Sequence, residues 1–275
     1  MTVSSIVESL RLVFTLVGRQ FALYKSYWRW EAVWTLYTLA NALAVGFLGR
    51  GIEPVTGAAV DQQKFITYLM IGSLVWGYIA GLFWEVASTV SWERWEGTIE
   101  YTFMAPVPRV IHLVGICVWA MIYGVARTAI LLAGISVFFH LDLGQASLWA
   151  AVGVLAASTF AFVGVAMMVA VMPLFSPEKG SQMIGIVEAV LLMLSGVYYP
   201  ISVLPGWMQV LAKVSPATYT LQGMRTALGV GEMADLAVMI VVLLLQGAIL
   251  VPLGALVFRI AETHAKRTGK LARAG

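Results

Sequence analysis

Charged residues are scarce in this chain. Only 11% of its 275 residues are Asp, Glu, Lys or Arg, whereas soluble domains carry about 25%. Hydrophobic residues make up 60% of the chain, and its mean hydropathy is +0.88. So little polar surface cannot coat a water-soluble globule, and we expect lipid to be the solvent for most of the chain.

Cysteine is nearly absent as well. The one cysteine, Cys117, lies inside an apolar run. Because a disulfide needs two cysteines and a thiolate metal site needs several, the sequence excludes a disulfide framework and a thiolate metal centre.

The sequence also lacks motifs for nucleotide binding and catalysis. No GxxxxGKS/T phosphate-binding loop occurs, and the glycine-rich piece at Gly229 and Gly231 lacks a third glycine. No HExxH motif occurs, the three histidines are far apart, and no carboxylate or Ser–His pair is placed for catalysis. We therefore expect no catalytic residue, no metal and no cofactor bound by this chain. If ATP drives the protein, another polypeptide must bind it.

Six long apolar runs dominate the chain, and a span needs roughly 20 apolar residues to cross ~30 Å of hydrocarbon. They predict an all-α integral membrane protein with six transmembrane helices in one domain, residues 1–275. Gly77 and Gly81 in the second run form a small-residue pair four apart, which predicts close helix packing there. The runs are residues 30–49, 65–89, 110–139, 148–172, 183–199 and 236–258.

The distribution of lysine and arginine predicts the orientation. Twelve of the 17 basic residues lie in the N-terminal segment, in the second and fourth connections and in the tail, residues 259–275. The other connections hold four, Arg50, Lys64, Lys213 and Arg225. By the positive-inside rule, both termini and the basic tail are cytoplasmic. We expect a multi-pass protein of a prokaryotic cell membrane.

Residues 1–27 carry apolar side chains at helical spacing. The stripe includes Phe14, Phe21 and Tyr24, while Glu8 and Arg11 interrupt any signal-peptide core. This pattern predicts an interfacial amphipathic helix whose basic residues face headgroups. A cytoplasmic helix packed on a partner is the alternative.

Residues 91–109 separate two apolar runs with a charged amphipathic segment. Trp92, Trp95 and Ile99 fall on one helical face, and Glu93 and Glu96 fall on another. The pattern predicts a short helix, residues 91–105, that lies on the membrane surface and presents carboxylates to a soluble partner. An ordinary interfacial connector is the alternative.

Residues 200–231 are too apolar for a simple outer connector. Pro205 can open a helix with an apolar stripe of Trp207, Met208, Leu211 and Val214. Ser215 and Pro216 form an N-cap and first-turn pair for a second helix ending near Gly229 or Gly231. Two outer re-entrant helices that cap a pathway fit this pattern, because broken structure at membrane depth survives only where protein or a cavity covers it.

Two of these segments carry a family resemblance. The run SGVYYPISVLPGWMQVLAKVSPATYTLQGMR resembles the C-terminal signature of type-2 ATP-binding-cassette (ABC) exporter permeases. The run WERWEGTIEYTFMAPVPR resembles that family's cytosolic coupling helix. For ATPase coupling, the resemblance points to Trp92, Glu93, Arg94, Trp95, Glu96, Gly97, Thr98, Glu100, Pro106 and Arg109.

The resemblance also implies partners and a direction. It implies two copies of a cytosolic ABC ATPase subunit, which bind ATP and Mg, a second permease (a copy of this chain or a relative), and outward transport across the lipid bilayer. No nucleic-acid partner is expected. The ending from Ser215 to Tyr219 resembles the drug and lipid exporter branch, so we expect a hydrophobic or amphipathic small molecule or lipid. Export of a lipid-linked polysaccharide is the alternative.

Few charges lie within the apolar runs: Glu31, Glu85, Arg127 and Glu188. Arg127 can face a watery cavity, bond backbone carbonyls or snorkel, and an ion-coupled transporter using Arg127 and Glu188 is a rival hypothesis. Glu31 and Glu85 can snorkel to the interface, or they can belong to an inner gate or contact the ATPase subunit. The candidate pathway and gate residues are Trp34, Tyr37, Arg127, Glu188, Tyr198, Tyr199, Pro200, Pro205, Trp207, Pro216 and Tyr219.

Overall fold

A computed structural model describes residues 3–56, 61–95, 109–139, 146–175, 177–230 and 235–268. Every regular element in these ranges is helical, as the apolar runs predict. One 3₁₀ turn, Ile201–Val203, precedes the short helix α8. The α-helices are α1 (Val3–Ser26), α2 (Trp28–Thr56), α3 (Gln62–Trp95), α4 (Arg109–Phe138), α5 (Leu148–Val169), α6 (Val171–Phe175), α7 (Pro177–Ser195), α8 (Gly206–Val214), α9 (Pro216–Ala227) and α10 (Leu236–Arg267).

Five helices in the described part are long and apolar enough to cross a membrane. The shorter apolar stretch Gln182–Ser195 of α7 covers most of the fifth predicted run, residues 183–199, so the sixth span stays a prediction. This helix ends at Ser195 because Gly196 takes a positive φ of 71°. The five candidate spans are Trp28–Gly51, Gln62–Ala87, Val114–Phe138, Leu148–Pro173 and Leu236–Arg267.

Helices α3 and α5 form the interior of the bundle. Their apolar side chains supply most of the main buried cluster, whereas α2, α4 and α10 keep most of their surface exposed. Helix α3 contacts α2, α4, α5, α7 and α9. Because α3 is apolar on all sides, it suits a central position, as expected for a helix surrounded by other helices.

The most extensive helix pair is α5 with α10, and glycines allow the contact. A Cβ on Gly164 would lie 2.3 Å from the Leu250 carbonyl carbon, and one on Gly254 would lie 2.4 Å from the Gly164 carbonyl oxygen. The two backbones are therefore too close for any side chain between them, as in small-residue packing of membrane helices.

The helix predicted over the N-terminal segment lies against α4. Leu16 packs on Gly115, and Phe21 and Tyr24 contact the Trp119 ring. Phe14, on the predicted apolar stripe, is 74% exposed. Part of the stripe thus packs on the bundle and part is free to meet lipid, and the interfacial position stays a prediction.

Helix α10 is longer than the sixth predicted run. The run ends at 258, but the helix continues to Arg267, so the predicted basic tail begins as helix. The ion pair between Lys266 and Glu262, 2.7 Å long and one helical turn apart, stabilises this extension. The Asp235 carboxylate accepts from the amides of Ala237 and Val238 and caps the other end.

Candidate functional site

The predicted coupling segment, residues 91–105, begins within the central helix α3. Residues 91–95 form the last turns of α3, and Arg109 is the first residue of α4. Of the coupling candidates, Trp92, Glu93, Arg94 and Trp95 thus belong to α3. Glu96, Gly97, Thr98, Glu100 and Pro106 lie outside the described residues. The separate helix predicted over 91–105 and its coupling role stay predictions.

Residues 196–230, which we term the cap, fold into the two short helices that the sequence predicts. Pro205 takes the N-cap position of α8, one residue before the first-turn position that the sequence suggests. Ser215 is the N-cap of α9 and Pro216 its first residue, and Gly229, two residues after the end of α9, has a φ of 73°. These positions follow the start and stop signals of helices, because proline suits an N-terminus and glycine suits a left-handed turn.

The apolar stripe predicted for α8 is mostly exposed. Met208 is buried, but Trp207 is 66% exposed, and Leu211 and Val214 also face outward. Helix α8 contacts α7 and the 3₁₀ turn, whereas α9 contacts α3, α5, α7 and α10. Helix α8 therefore lies at the rim of the bundle with an apolar face open to lipid, and α9 is the inner helix of the cap.

Arg225 on α9 fastens the cap to the bundle. It is only 8% exposed. Its guanidinium donates to the carbonyl of Val197 at 2.8 Å and to that of Gly196 at 3.3 Å. Its central carbon lies 3.6 Å from the centre of the Tyr68 ring on α3. The cation thus meets the carbonyl-rich C-terminal end of α7 and an aromatic face, both of which favour positive charge.

Gly72 on α3 lets the first turn of the cap approach. A Cβ at this position would lie 2.4 Å from the Val197 carbonyl oxygen and 3.2 Å from a terminal nitrogen of Arg225. Gly72 lies about one helical turn after Tyr68 on α3. Both residues therefore face the same contact with the cap. Any larger side chain would separate α3 from the cap.

The remaining aromatic and proline candidates in the cap shape its chain. The Tyr199 hydroxyl donates to the Met193 carbonyl at 2.5 Å, and the Tyr219 hydroxyl donates to the Lys213 carbonyl at 2.7 Å. Pro200 precedes the 3₁₀ turn. Tyr198 is exposed, so together with Trp207 it supplies the accessible aromatic surface of the cap.

Arg127 joins α4 to α2. Its guanidinium donates to the Thr38 hydroxyl at 2.7 Å and to the Trp34 carbonyl at 3.1 Å. Backbone bonding, one of the roles that the sequence leaves open, is therefore the observed one. Glu188, partly exposed on α7, is not among its partners. The structure thus gives the predicted Arg127–Glu188 relay no direct contact. Trp34 and Tyr37 lie exposed on α2 with their rings edge to face.

Two tyrosines hold the carboxylates near the other end of the bundle. The Tyr24 hydroxyl donates to Glu85, and the Tyr123 hydroxyl donates to Glu31. The Trp119 ring lies 5.0 Å from Tyr24 and 6.0 Å from Tyr123, centre to centre. Burial, followed by the neighbouring Glu85 carboxylate, raises the pKa of Tyr24 above its ordinary value. These bonds tie α1 to α3 and α4 to α2.

Sequence reasoning missed Arg225 as a functional residue and counted it among the charges of the outer connections. A signal was present, because Thr218, Leu221 and Arg225 recur at helical spacing and all three are buried. Tyr24 lies on the apolar stripe predicted for residues 1–27, but the sequence does not indicate its distant partner Glu85. Tyr68 and Tyr123 carried no comparable pattern, since each acts through a partner distant in sequence.

The comparisons with known proteins place this architecture in a family. No curated protein matches the chain. A family model for the ABC-2 type transporter matches residues 11–228, which include α2 to α9 and all but the last two residues of the cap. The matched region contains the central helix, the predicted coupling segment and the Arg225 contact. This chain belongs to the ABC-2 type transporter family and is a transmembrane permease component of an ABC transporter.

Proposed function

We propose that this chain is the permease subunit of an ABC exporter driven by ATP hydrolysis on a separate subunit. The cargo is a hydrophobic or amphipathic small molecule or a lipid, taken from the cytoplasm or the inner leaflet. The observation that carries the proposal is the continuity of α3. One helix contacts the cap at Tyr68 and Gly72 and leads without a break to Trp95, where the coupling segment follows.

The length of α3 suits transmission across the membrane. Its 34 residues extend about 51 Å at 1.5 Å per residue, against roughly 30 Å of hydrocarbon. A helix with unbroken backbone hydrogen bonds moves as a unit. When ATP binding closes the ATPase subunits, they push on the coupling segment, and α3 passes the displacement to the cap. The cap then moves off the bundle and opens a route outward.

The assembly needs a second permease and two ATPase subunits, which bind ATP and Mg. Support for the second permease comes from α7, where exposed apolar residues recur at spacings of three and four. These residues are Met183, Ile186, Val190 and Met193. The exposed aromatic face of α2 supplies a second apolar surface. We assign the contact between permeases to α2 and α7.

The cargo class follows from the accessible surface of the cap. Trp207, Tyr198 and the apolar face of α8 are exposed at the rim. An apolar molecule can move from lipid to this surface without losing hydration, since both environments are apolar. A hydrophobic or amphipathic cargo therefore costs least to release there.

The experiment uses the full chain purified with an ABC ATPase subunit of the same cell and reconstituted into inside-out vesicles. Uptake of a fluorescent amphipathic dye and ATP hydrolysis are measured together. We expect Glu93→Gln and Glu96→Gln to keep ATP hydrolysis but lose most uptake, because the coupling contact loses its charge. Glu8→Gln is the control, because Glu8 is an exposed glutamate on α1 that does not belong to residues 91–105.

Three outcomes contradict the proposal. Uptake by the chain without an ATPase subunit would remove the need for a separate motor. Uptake that an uncoupler abolishes while ATP remains would indicate ion coupling. Unchanged uptake in both glutamate variants would show that segment 91–105 does not couple the subunits.

A further inference from the structure

The junction between α1 and α2 forms an open groove. Helix α1 ends at Ser26, α2 begins at Trp28, and Tyr27 forms the turn between them. The groove has a volume of about 490 Å³. We term residues 25–33 the elbow. The groove is lined by Ser26, Tyr27, Trp28, Arg29, Trp30 and Val33.

The elbow presents positive charge to solvent. Lys25 and Arg29 are both exposed, and Arg29 lies over the Trp28 ring with its central carbon 5.8 Å from the ring centre. Arg11 and Arg19 extend this charge along the exposed side of α1, where Glu8 is the acidic residue.

Glu31 within the elbow and Glu85 on α3 are both hydrogen-bonded to tyrosines of the bundle. Glu31 accepts a hydrogen bond from Tyr123 on α4, and Glu85 on α3 accepts one from Tyr24. Among the described residues, no ion pair joins either carboxylate to Lys25 or Arg29. An anion that enters the elbow meets exposed basic side chains, and the one carboxylate within the elbow, Glu31, is already bonded to Tyr123.

The aromatic side chains next to Lys25 and Arg29 are exposed at positions that suit contact with lipid. Trp28 is 62% exposed and Trp30 is 61% exposed, at the start of the first candidate span. The rings of Trp30, Trp34 and Tyr37 follow one another up α2, with centres 6.3 and 5.8 Å apart. Exposed indoles at a span end prefer the headgroup level of a bilayer. The apolar continuation along α2 is where an acyl chain would lie.

We infer that the elbow is a binding site for an anionic phospholipid. Lys25 and Arg29 bind the headgroup phosphate through charge-assisted hydrogen bonds, and Trp28 and Trp30 flank the glycerol and the first acyl carbons. The site is preformed, because the Tyr24 bond to Glu85 and the Tyr24–Trp119 contact fix α1 against the bundle. Binding then costs little conformational entropy, because the site is already ordered. This lipid is a retained ligand and differs from the exported cargo.

The test measures which lipids stay with the full chain. The purified protein is equilibrated in nanodiscs that contain equal mole fractions of phosphatidylglycerol and phosphatidylcholine, released, and examined by native mass spectrometry. We expect retained phosphatidylglycerol to exceed phosphatidylcholine. Each basic residue near an anionic surface contributes about fivefold to this preference, so Lys25→Gln with Arg29→Gln lowers it by about 25-fold. Lys25→Arg with Arg29→Lys keeps most of it.

Lys213→Gln is the matched control, because Lys213 is an exposed basic residue on α8. We expect Lys213→Gln to leave the preference for phosphatidylglycerol unchanged. Circular dichroism and gel filtration check that each variant keeps its fold. Several results overturn the inference. Three of them are equal retention of the two lipids by the native chain, unchanged retention in the double variant, and displacement by inorganic phosphate, which indicates a site for soluble anions. A fourth is retention that disappears once the ATPase subunit binds, because the elbow is then a protein contact.

The lipid-site proposal and the exporter proposal can be contradicted independently of each other. The comparison of the native chain with its variants is made without ATP and without an ATPase subunit, so the loss of transport does not affect it. Retention that falls during ATP turnover would identify the bound lipid as cargo and overturn its assignment as a retained ligand.

Discussion

Arg225 and Tyr68 lie 157 positions apart in sequence, yet the guanidinium carbon of Arg225 is 3.6 Å from the centre of the Tyr68 ring. The same guanidinium holds the carbonyls of Gly196 and Val197, which follow the end of α7. One side chain of α9 thus joins the central helix to the first turn of the cap. In the proposed mechanism this contact is the point at which movement of α3 reaches the cap.

Removal of the Arg225 guanidinium should release the cap. Arg225→Gln loses charge-assisted hydrogen bonds and the stacking on Tyr68, and we expect the free energy of unfolding to fall by about 3 kcal/mol. Arg225→Lys should lose less, because it keeps the charge but lacks the planar fork. Thermal unfolding in detergent measures the stability, and hydrogen exchange measures cap protection. Arg259→Gln, at an exposed arginine on α10, is the control. Equal effects at both arginines would contradict the fastening role.

Gly72 and Gly81 offer a matched pair on one helix. A Cβ on Gly72 would collide with the Val197 carbonyl at 2.4 Å, whereas a Cβ on Gly81 would meet nothing within 4 Å. We expect Gly72→Ala to destabilise the protein by about 1–3 kcal/mol through overpacking. Gly81→Ala should be neutral or stabilising by up to about 1 kcal/mol, because alanine favours the helix. Thermal unfolding of the two variants tests this. Equal behaviour would contradict the close contact between α3 and the cap.

Tyr24 should make the docking of α1 sensitive to high pH. Burial and the adjacent Glu85 carboxylate raise the pKa of Tyr24 above its ordinary 10.0, so the folded chain holds the phenol proton more tightly than the unfolded chain. The resulting stability is fully present below pH 10 and is lost as pH rises toward the folded value. We expect hydrogen-exchange protection of α1 to fall above about pH 10 in the native chain.

Tyr24→Phe removes that dependence. It should lower α1 protection already at neutral pH, because the hydroxyl no longer donates to Glu85, and its protection should change less with pH. Tyr37→Phe is the control, because Tyr37 is exposed on α2. If the native chain and Tyr24→Phe respond alike above pH 10, Tyr24 ionisation does not govern the docking of α1.

The cap helices could be predicted from the sequence because their signals are local. Pro205, Ser215 and Pro216 determine where α8 and α9 begin through their own backbone preferences, and the structure places each at a helix start. The exposed face of α8 could not be predicted in this way. An apolar stripe shows that a helix has an apolar surface, but not whether protein or lipid covers it.

The glycines show more clearly what the sequence alone does not predict about helix packing. Gly77 and Gly81 predict close helix packing, but a Cβ on Gly77 would meet only Thr38, at 3.9 Å. The close approach occurs at Gly164 and Gly254, on helices distant in sequence. A small residue permits contact, but the arrangement of helices decides which small residues are used. The same holds for Arg225, whose partners belong to two other helices.

Arg127 and Thr38 should show energetic coupling between α4 and α2. The Arg127 guanidinium donates to the Thr38 hydroxyl at 2.7 Å, and the Thr38 hydroxyl donates to the Trp34 carbonyl at 2.8 Å. We expect Arg127→Gln and Thr38→Val each to lower the free energy of unfolding. The double variant should lose about 1 kcal/mol less than the sum, because the two residues share one interaction. Thermal unfolding of the four proteins measures this coupling.

The control for this coupling is Thr263→Val on α10. The Thr263 hydroxyl donates to the carbonyl four residues earlier at 2.8 Å, as that of Thr38 does, but Arg127 does not contact it. The changes in the free energy of unfolding caused by Arg127→Gln and Thr263→Val should therefore be additive. If the role of Arg127 is structural, we also expect the KM for the dye to be unchanged in Arg127→Lys. A raised KM together with zero coupling to Thr38 would instead place Arg127 in contact with the cargo, because only a cargo-binding residue changes affinity without changing the bond between α2 and α4.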